Sequence, residues 1–321
     1  MDIRAKSPDA AAPPPAPAPP APGKAAKPDV LLSTGSLFHL PLPRIARIAR
    51  CAGFAGLELV VGSPAIAPGP AVFEAHALCP VRAVHAPFRN WNDWGGHKNA
   101  WRAAVCLAAA LGPPCRAEEN RLPVTLHPPG GSLRDAVQAR WFARTVDLPR
   151  LLDAPPHISL CLENLPWTPG GYFGRDPFEA LLAECRERGL FLTLDACHLG
   201  VSGRDILVDL ARVPAGLLGH AHCSDADGFA EHLAPGAGAL PLGPFLERLG
   251  ARGDVRTVSL ELDPAQLPED EDRQVAALSR LRADMIEALN GRAPSAWAGR
   301  AGMSSGMPHG SWRGARFATL G

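Results

Sequence analysis

Short apolar runs of strand length recur along the chain and alternate with longer stretches of helical periodicity. Eight runs stand out: DVLLSTG (29–35), GLELVVG (56–62), RAVHAP (82–87), PVTLHP (123–128), ISLCLEN (158–164), FLTLDA (191–196), LLGHAHCSD (217–225) and TVSLELD (257–263). Between them, residues 42–53, 98–112, 176–190, 243–253 and 271–291 place apolar positions at helical spacing. Gly53 and Gly112 stand where helix C-caps belong, and Asp176 followed by Pro177 reads as an N-cap with proline at the first helical position. Two units are weaker. Residues 67–80 (APGPAVFEAHALCP) are short and Pro-rich, and 201–213 (VSGRDILVDLARV) are abbreviated. Alternation of this kind predicts βα units and a parallel sheet. Eight units in about 260 residues match a closed (β/α)8 TIM barrel. A doubly wound open sheet would place phosphate-binding glycines after its first strand, and TGSLFHLP (34–41) is not such a loop.

Composition delimits the barrel. Residues 7–28 are Pro/Ala low complexity, which favours extended backbone and forms no packed core. From Ala293 onward Gly, Ser and Ala dominate, with Arg300, Arg313 and Arg316 and no acid. The expectation is a barrel over 29–292 between disordered tails at 1–28 and 293–321. Lys plus Arg equals Asp plus Glu at 32 each, so no global field asks for nucleic acid or an anionic membrane. The longest apolar stretches stop well short of the ~20 residues that span a bilayer, and the N-terminus carries no apolar signal core. None of the 8 cysteines forms a CxxC pair, and several sit in apolar runs. Buried thiols of a cytoplasmic protein are therefore expected. A homo-oligomer stays open.

The chemistry collects at strand ends. The second to eighth strands each carry an acid or histidine at or near the C-terminal end: Glu58, His85, His127, Glu163, Asp195, His222 and Glu261. In a barrel these ends converge on one face, where active sites are built. Singly, each is a cap, a solvated acid or a core histidine, but seven on one face call for another cause. Alternation puts Cys161 with Glu163, Thr193 with Asp195 and Ser259 with Glu261, leaving small or mildly polar groups one layer below the carboxylates. Clustered, buried carboxylates repel unless a cation compensates them. Histidine with three carboxylates suits Mn2+, Co2+, Mg2+ or Zn2+ and lacks the thiolates that select zinc alone. Cys197 and Cys223 fall at odd spacing from the ligands and point away.

Six motifs carry a resemblance: GFAGLELV (53–60), HPPGG (127–131), LEN (162–164), DACH (195–198), HCSD (222–225) and HLAPGAG (232–238). Over roughly 30–290 the chain resembles the xylose isomerase-like barrels, which include sugar-phosphate isomerases and epimerases and the family 2 AP endonucleases. The resemblance to the epimerase branch implies one divalent ion, Mn2+, Co2+ or Zn2+, on Glu163, Asp195, His222 and Glu261. It implies that Glu163 and Glu261 exchange substrate protons through a metal-stabilised enediolate, with His198 on the substrate. The small-molecule substrate would be a sugar-like hydroxy-carbonyl compound, with Glu58, His198, His232 and Trp94 as further contacts. The endonuclease branch uses three zinc ions. His85 and His127 match its first site, and His198 and His232 match two ligands of its third. The remaining third-site aspartate is replaced by Ala230, and Glu231 is adjacent but misdirected. The leading expectation is a metal-dependent isomerase or epimerase. A two-zinc phosphoester hydrolase is the alternative, and a non-catalytic sugar-binding barrel the third reading.

Overall fold

The computed structural model describes residues 27–62, 66, 68–89, 91–112, 121–129, 142, 147–166 and 176–299. Most of each expected tail lies outside the described residues, as do Asn90 of the loop after the third strand and Gly130 and Gly131 of the HPPGG turn. Eight parallel strands close the barrel: β1 (Asp29–Ser33), β2 (Gly56–Val60), β3 (Val81–His85), β4 (Leu122–Leu126), β5 (Ile158–Glu163), β6 (Phe191–Asp195), β7 (Leu218–Cys223) and β10 (Thr257–Leu260). They coincide with the eight runs marked by the sequence. After β7 the chain makes a small antiparallel hairpin, β8 (Asp225–Asp227) with β9 (Ala230–Leu233).

The described helices are α1 (Leu42–Cys51), α2 (Pro70–Leu78), α3 (His97–Leu111), α4 (Leu148–Leu151), α5 (Pro177–Arg188), α6 (Ala196–Val201), α7 (Ile206–Arg212), α8 (Leu242–Arg252) and α9 (Glu271–Leu289). The Pro-rich segment judged weak forms α2, because Pro70 falls in the first turn after Gly69, where its missing N–H costs nothing. Asp176 caps α5 by accepting from the Phe178 amide at 2.9 Å, and Gly189 closes that helix in the left-handed conformation. No described helix is long and apolar enough to cross a membrane.

Strand alternation divides the apolar from the polar core. Outward faces carry Val30, Leu32, Leu57, Leu59, Leu122, Val124, Leu160, Leu162, Leu192, Leu194, Val258 and Leu260, all buried in one cluster with the helices. Cys197 and Cys223 belong to that cluster, so the odd spacing did turn them away from the barrel axis. Inward positions include Thr125, Thr193 and Ser259, fully buried, with Thr125 and Thr193 hydroxyls hydrogen-bonded at 2.9 Å. Barrel interiors are usually packed with branched apolar residues. Here the upper interior is polar.

The packed part extends past the expected boundary at 292. After α9 the chain continues along α8: Ala293 lies against Gly243, and Ser295–Ala298 forms a 3-10 turn. Trp297 is buried, its indole so near Gly236 that a Cβ there would approach within 3.0 Å. Composition hid this, because one tryptophan among small residues supplies the anchor. Trp297→Ala should lower unfolding stability by about 3 kcal/mol, read as a shift of the urea midpoint at unchanged m value. A shift below about 1 kcal/mol would mean the segment contributes little to the fold.

Candidate metal centre

Four consecutive strands, β5, β6, β7 and β10, supply the central cluster. Parallel pairing sets Asp195 level with His222 and His222 level with Ser259, and Glu163 level with Thr193. Glu261 follows β10 directly, its amide bonded to the Cys223 carbonyl at 3.3 Å. This brings three acids to one imidazole nitrogen. His222 Nδ1 lies 2.9 Å from Glu163 Oε1, 3.1 Å from Glu261 Oε2 and 3.5 Å from Asp195 Oδ2. One ligand atom from each of the four residues falls within 4.8 Å of all the others. For ligand bonds of about 2.1 Å, neighbouring donors around one ion sit about 3.0–3.4 Å apart.

Local structure aims each ligand. Asp195 is the N-cap of α6: Oδ1 accepts from the His198 amide at 2.7 Å. That bond leaves Oδ2 buried with no hydrogen-bond partner among the described residues. An orphaned carboxylate oxygen facing two other acids is costly without a cation. Asn164 pairs with the same peptide twice, donating to the Asp195 carbonyl at 2.9 Å and accepting from its amide at 2.8 Å. The ends of β5 and β6 are thereby locked together. The Asn164 carbonyl also accepts from His198 Nδ1 at 2.9 Å, and that nitrogen lies 3.6 Å from Glu163 Oε1.

The second oxygen of Glu163 serves another group. His85 Nε2 lies 3.1 Å from Oε2, and His127 Nε2 lies 2.6 Å from it, off the line of a hydrogen bond. His85, His127 and Glu163 form a second set of donors able to surround an ion, with Glu163 common to both sets. A third set, Glu58, His220 and His222, lies wholly buried.

Protons partly compensate the acids in the metal-free protein. Burial alone would raise Glu163, but the imidazoles of His127 and His222 hold its carboxyl well below the usual range. Burial would likewise lower His222, yet Glu58, Glu261 and Glu163 carry it well above an ordinary histidine. His85 behaves the same way: against burial, its bond to Glu163 and that charge push it up to about 9. For His127 burial outweighs the attraction of Glu163 and lowers the ring's pKa. His222 and His85 thus hold protons that a divalent ion on those rings would displace.

The arrangement is that of a TIM barrel with its chemistry on the C-terminal face. A family profile described as xylose isomerase-like TIM barrel matches residues 45–283. The chain belongs to that family. No curated protein matches it in sequence. Among solved structures, this xylose isomerase-like barrel is similar to an L-ribulose 3-epimerase, with TM-score 0.61 and 18% identity over 82% of this chain and 95% of that one. It is similar to the IOLI protein with a binding zinc atom, with TM-score 0.58 and 16% identity over 81% and 98%. A D-allulose 3-epimerase from Methylomonas sp. in complex with D-allulose gives TM-score 0.54 and 14% identity over 83% and 98%. At these identities the likeness is one of fold.

Other expected contacts of the xylose isomerase-like barrel fall in different places. Glu58, expected on the substrate, is fully buried behind His222, with Oε1 at 2.9 Å from Nε2, the ring nitrogen away from the acids. His232, at a positive φ of 54°, touches Ser224 Oγ at 3.3 Å and packs edge-on to His198 at 5.5 Å. Ala230 and Glu231 beside it are exposed. Trp94 is half-buried and packs on the hydrophobic core, while Trp91 stacks on His97 at 3.7 Å. Two residues went unread. His220 lies two positions before His222, so strand alternation alone puts it inside the barrel. Phe88 stands partly exposed beside His85 and His127, with ring centroids 5.7 and 5.6 Å away, and nothing in its local pattern marks it.

Proposed function

We propose that the protein is a metal-dependent isomerase or epimerase acting on a small hydroxy-carbonyl compound, a sugar, sugar phosphate or polyol derivative, in the cytoplasm. One observation carries this reading: the four donors lie on four successive strands, with Asp195 and His222 in the middle and a glutamate at each end. Mn2+, Co2+ and Zn2+ fit the donor set. When bound, such an ion supplies a Lewis-acid contact that acidifies the C–H between a carbonyl and its neighbouring hydroxyl. A substrate held there has Glu163 on one side and Glu261 on the other. One carboxylate takes the proton and the other returns one, which inverts the centre or moves the carbonyl. Glu261 keeps 19% of its side chain exposed while Glu163 keeps 1%, so the cluster opens on the Glu261 side. His198, whose Nδ1 donates to the Asn164 backbone carbonyl, would bind a substrate oxygen. The L-ribulose and D-allulose epimerases among the similar structures, and the zinc of the IOLI protein, agree with this reading.

A second reading is favoured by His85 and His127 on the outer oxygen of Glu163. With a bridging Glu163 the face would hold two zinc ions, the usual arrangement for attack on a phosphoester.

Metal content of the purified protein, measured with D-allulose and L-ribulose C–H exchange into deuterated water, separates the two. One ion replaceable by Mn2+ or Co2+, with deuterium incorporation, is the expected result. Two zinc ions, no incorporation and turnover of an aryl phosphodiester would replace the isomerase reading with the hydrolytic one.

A further inference from the structure

Beneath the metal centre lies a buried polar column that meets it through His222. Glu58 Oε1 is 2.9 Å from His222 Nε2 and 3.3 Å from His220 Nε2. His220 Nε2 is also 3.1 Å from Ser259 Oγ, and its Nδ1 is 2.7 Å from Thr257 Oγ1. All five side chains are buried, Glu58, His220 and His222 completely. Sequence pattern places them on three barrel strands, β2, β7 and β10, at inward positions.

We infer that Glu58 is a positioning residue: by accepting the Nε2 proton of His222, it fixes the tautomer that leaves Nδ1 free to bind the metal ion. The inference rests on the metal reading given above. A neutral imidazole carries one proton on either nitrogen. On the Nδ1 side it meets Glu163, Asp195 and Glu261, three acceptors that would draw the proton to the very atom needed as ligand. A carboxylate on the opposite nitrogen is what counters that pull, and it also sets the ring plane. His220 completes the arrangement. A carboxylate can only accept, so His222 Nε2, at 2.9 Å from Glu58 Oε1, carries a proton. His220 Nδ1 meets both the carbonyl and the hydroxyl of Thr257, at 3.1 and 2.7 Å, and the Ser259 hydroxyl lies against its Nε2. Glu58 Oε2 has no hydrogen-bond partner among the described residues, which puts its accepting capacity on the single oxygen that faces both imidazoles.

The test is Co2+ titration of the full chain after chelator treatment, followed by visible ligand-field absorption, with thermal melting of each metal-free variant as a control for folding. Glu58→Ala is expected to weaken Co2+ binding by about 10- to 100-fold and to change the absorption envelope. Glu58→Gln retains an uncharged acceptor of matching size and is expected to lose less, several-fold. Should Glu58→Ala not fold, the Gln variant decides alone. Wild-type affinity and spectrum in a folded variant overturn the inference, whatever happens to its melting temperature. Loss of one whole equivalent of Co2+ also overturns it, because Glu58 would then be a ligand. If the wild-type chain takes up no Co2+, the metal reading itself falls and this inference with it.

Discussion

Glu163→Gln is expected to slow exchange of the substrate C–H with solvent deuterium by about 100- to 10,000-fold, the usual span for removing a catalytic acid or base. The amide keeps the volume and one oxygen toward His222, so the barrel should stay folded and hold metal at raised concentration. What it loses is the ability to accept a proton. Glu163 is held ionised across neutral pH, since the neighbouring imidazoles, with the raised His222 among them, outweigh its burial, and it is therefore able to take a proton. The measurement is deuterium incorporation into D-allulose or L-ribulose with Co2+ content determined on the same sample. Glu261→Gln serves as partner: for a two-base reaction it should block exchange from the opposite face while leaving the first measurable. Metal-loaded Glu163→Gln that exchanges at the wild-type rate would remove Glu163 from the chemistry.

Metal affinity should fall steeply on acidification, about tenfold for each pH unit and each proton displaced. The sign follows from His222. Its neighbours Glu58, Glu261 and Glu163 overcome burial and raise it well above an ordinary histidine, so in the metal-free fold it is protonated through neutrality. An ion must expel that proton to reach Nδ1. The metal-free fold gains stability from the bound proton below the unfolded value near 6.5 and loses that gain as pH climbs through the raised one. The metal-loaded fold responds in the opposite direction. Between pH 8 and 6 the first ion should therefore bind about 100-fold more weakly, measurable by competition with a chromophoric chelator. A second ion on the His85 side would show its own proton loss, because His85 is raised to about 9. A flat profile would show that His222 Nδ1 is not a ligand.

Much of the barrel could be read from period-2 alternation, because each strand has one face buried against helices and the other turned to the axis. Glu163, Asp195, His222 and Glu261 were among the seven strand-end residues the same rule marked, the resemblance singled them out as a set, and they meet at one nitrogen. The rule says which way a side chain points and not how deep it sits, and Glu58 is buried with its Oε1 against His222 Nε2. His220 was within reach of the rule and was overlooked beside a more conspicuous neighbour. Pro70 misled because proline is read as a breaker unless its place in the first turn is recognised. Trp297 was missed for a different reason: its burial depends on a groove made by Gly236 and Gly243, far away along the chain.

That groove determines where the chain leaves the molecule. Lys27 approaches Gly250 near the end of α8, at the base of the barrel, whereas Gly299 rests against Pro241 just before that helix begins, beside the hairpin that carries His232. The two ends of the described chain therefore depart from opposite poles. A surface tether joined directly at Gly299 would start at the mouth of the barrel and compete with solute entry. The same tether joined directly at Lys27 would hold the barrel by its base and present the acid cluster to solution.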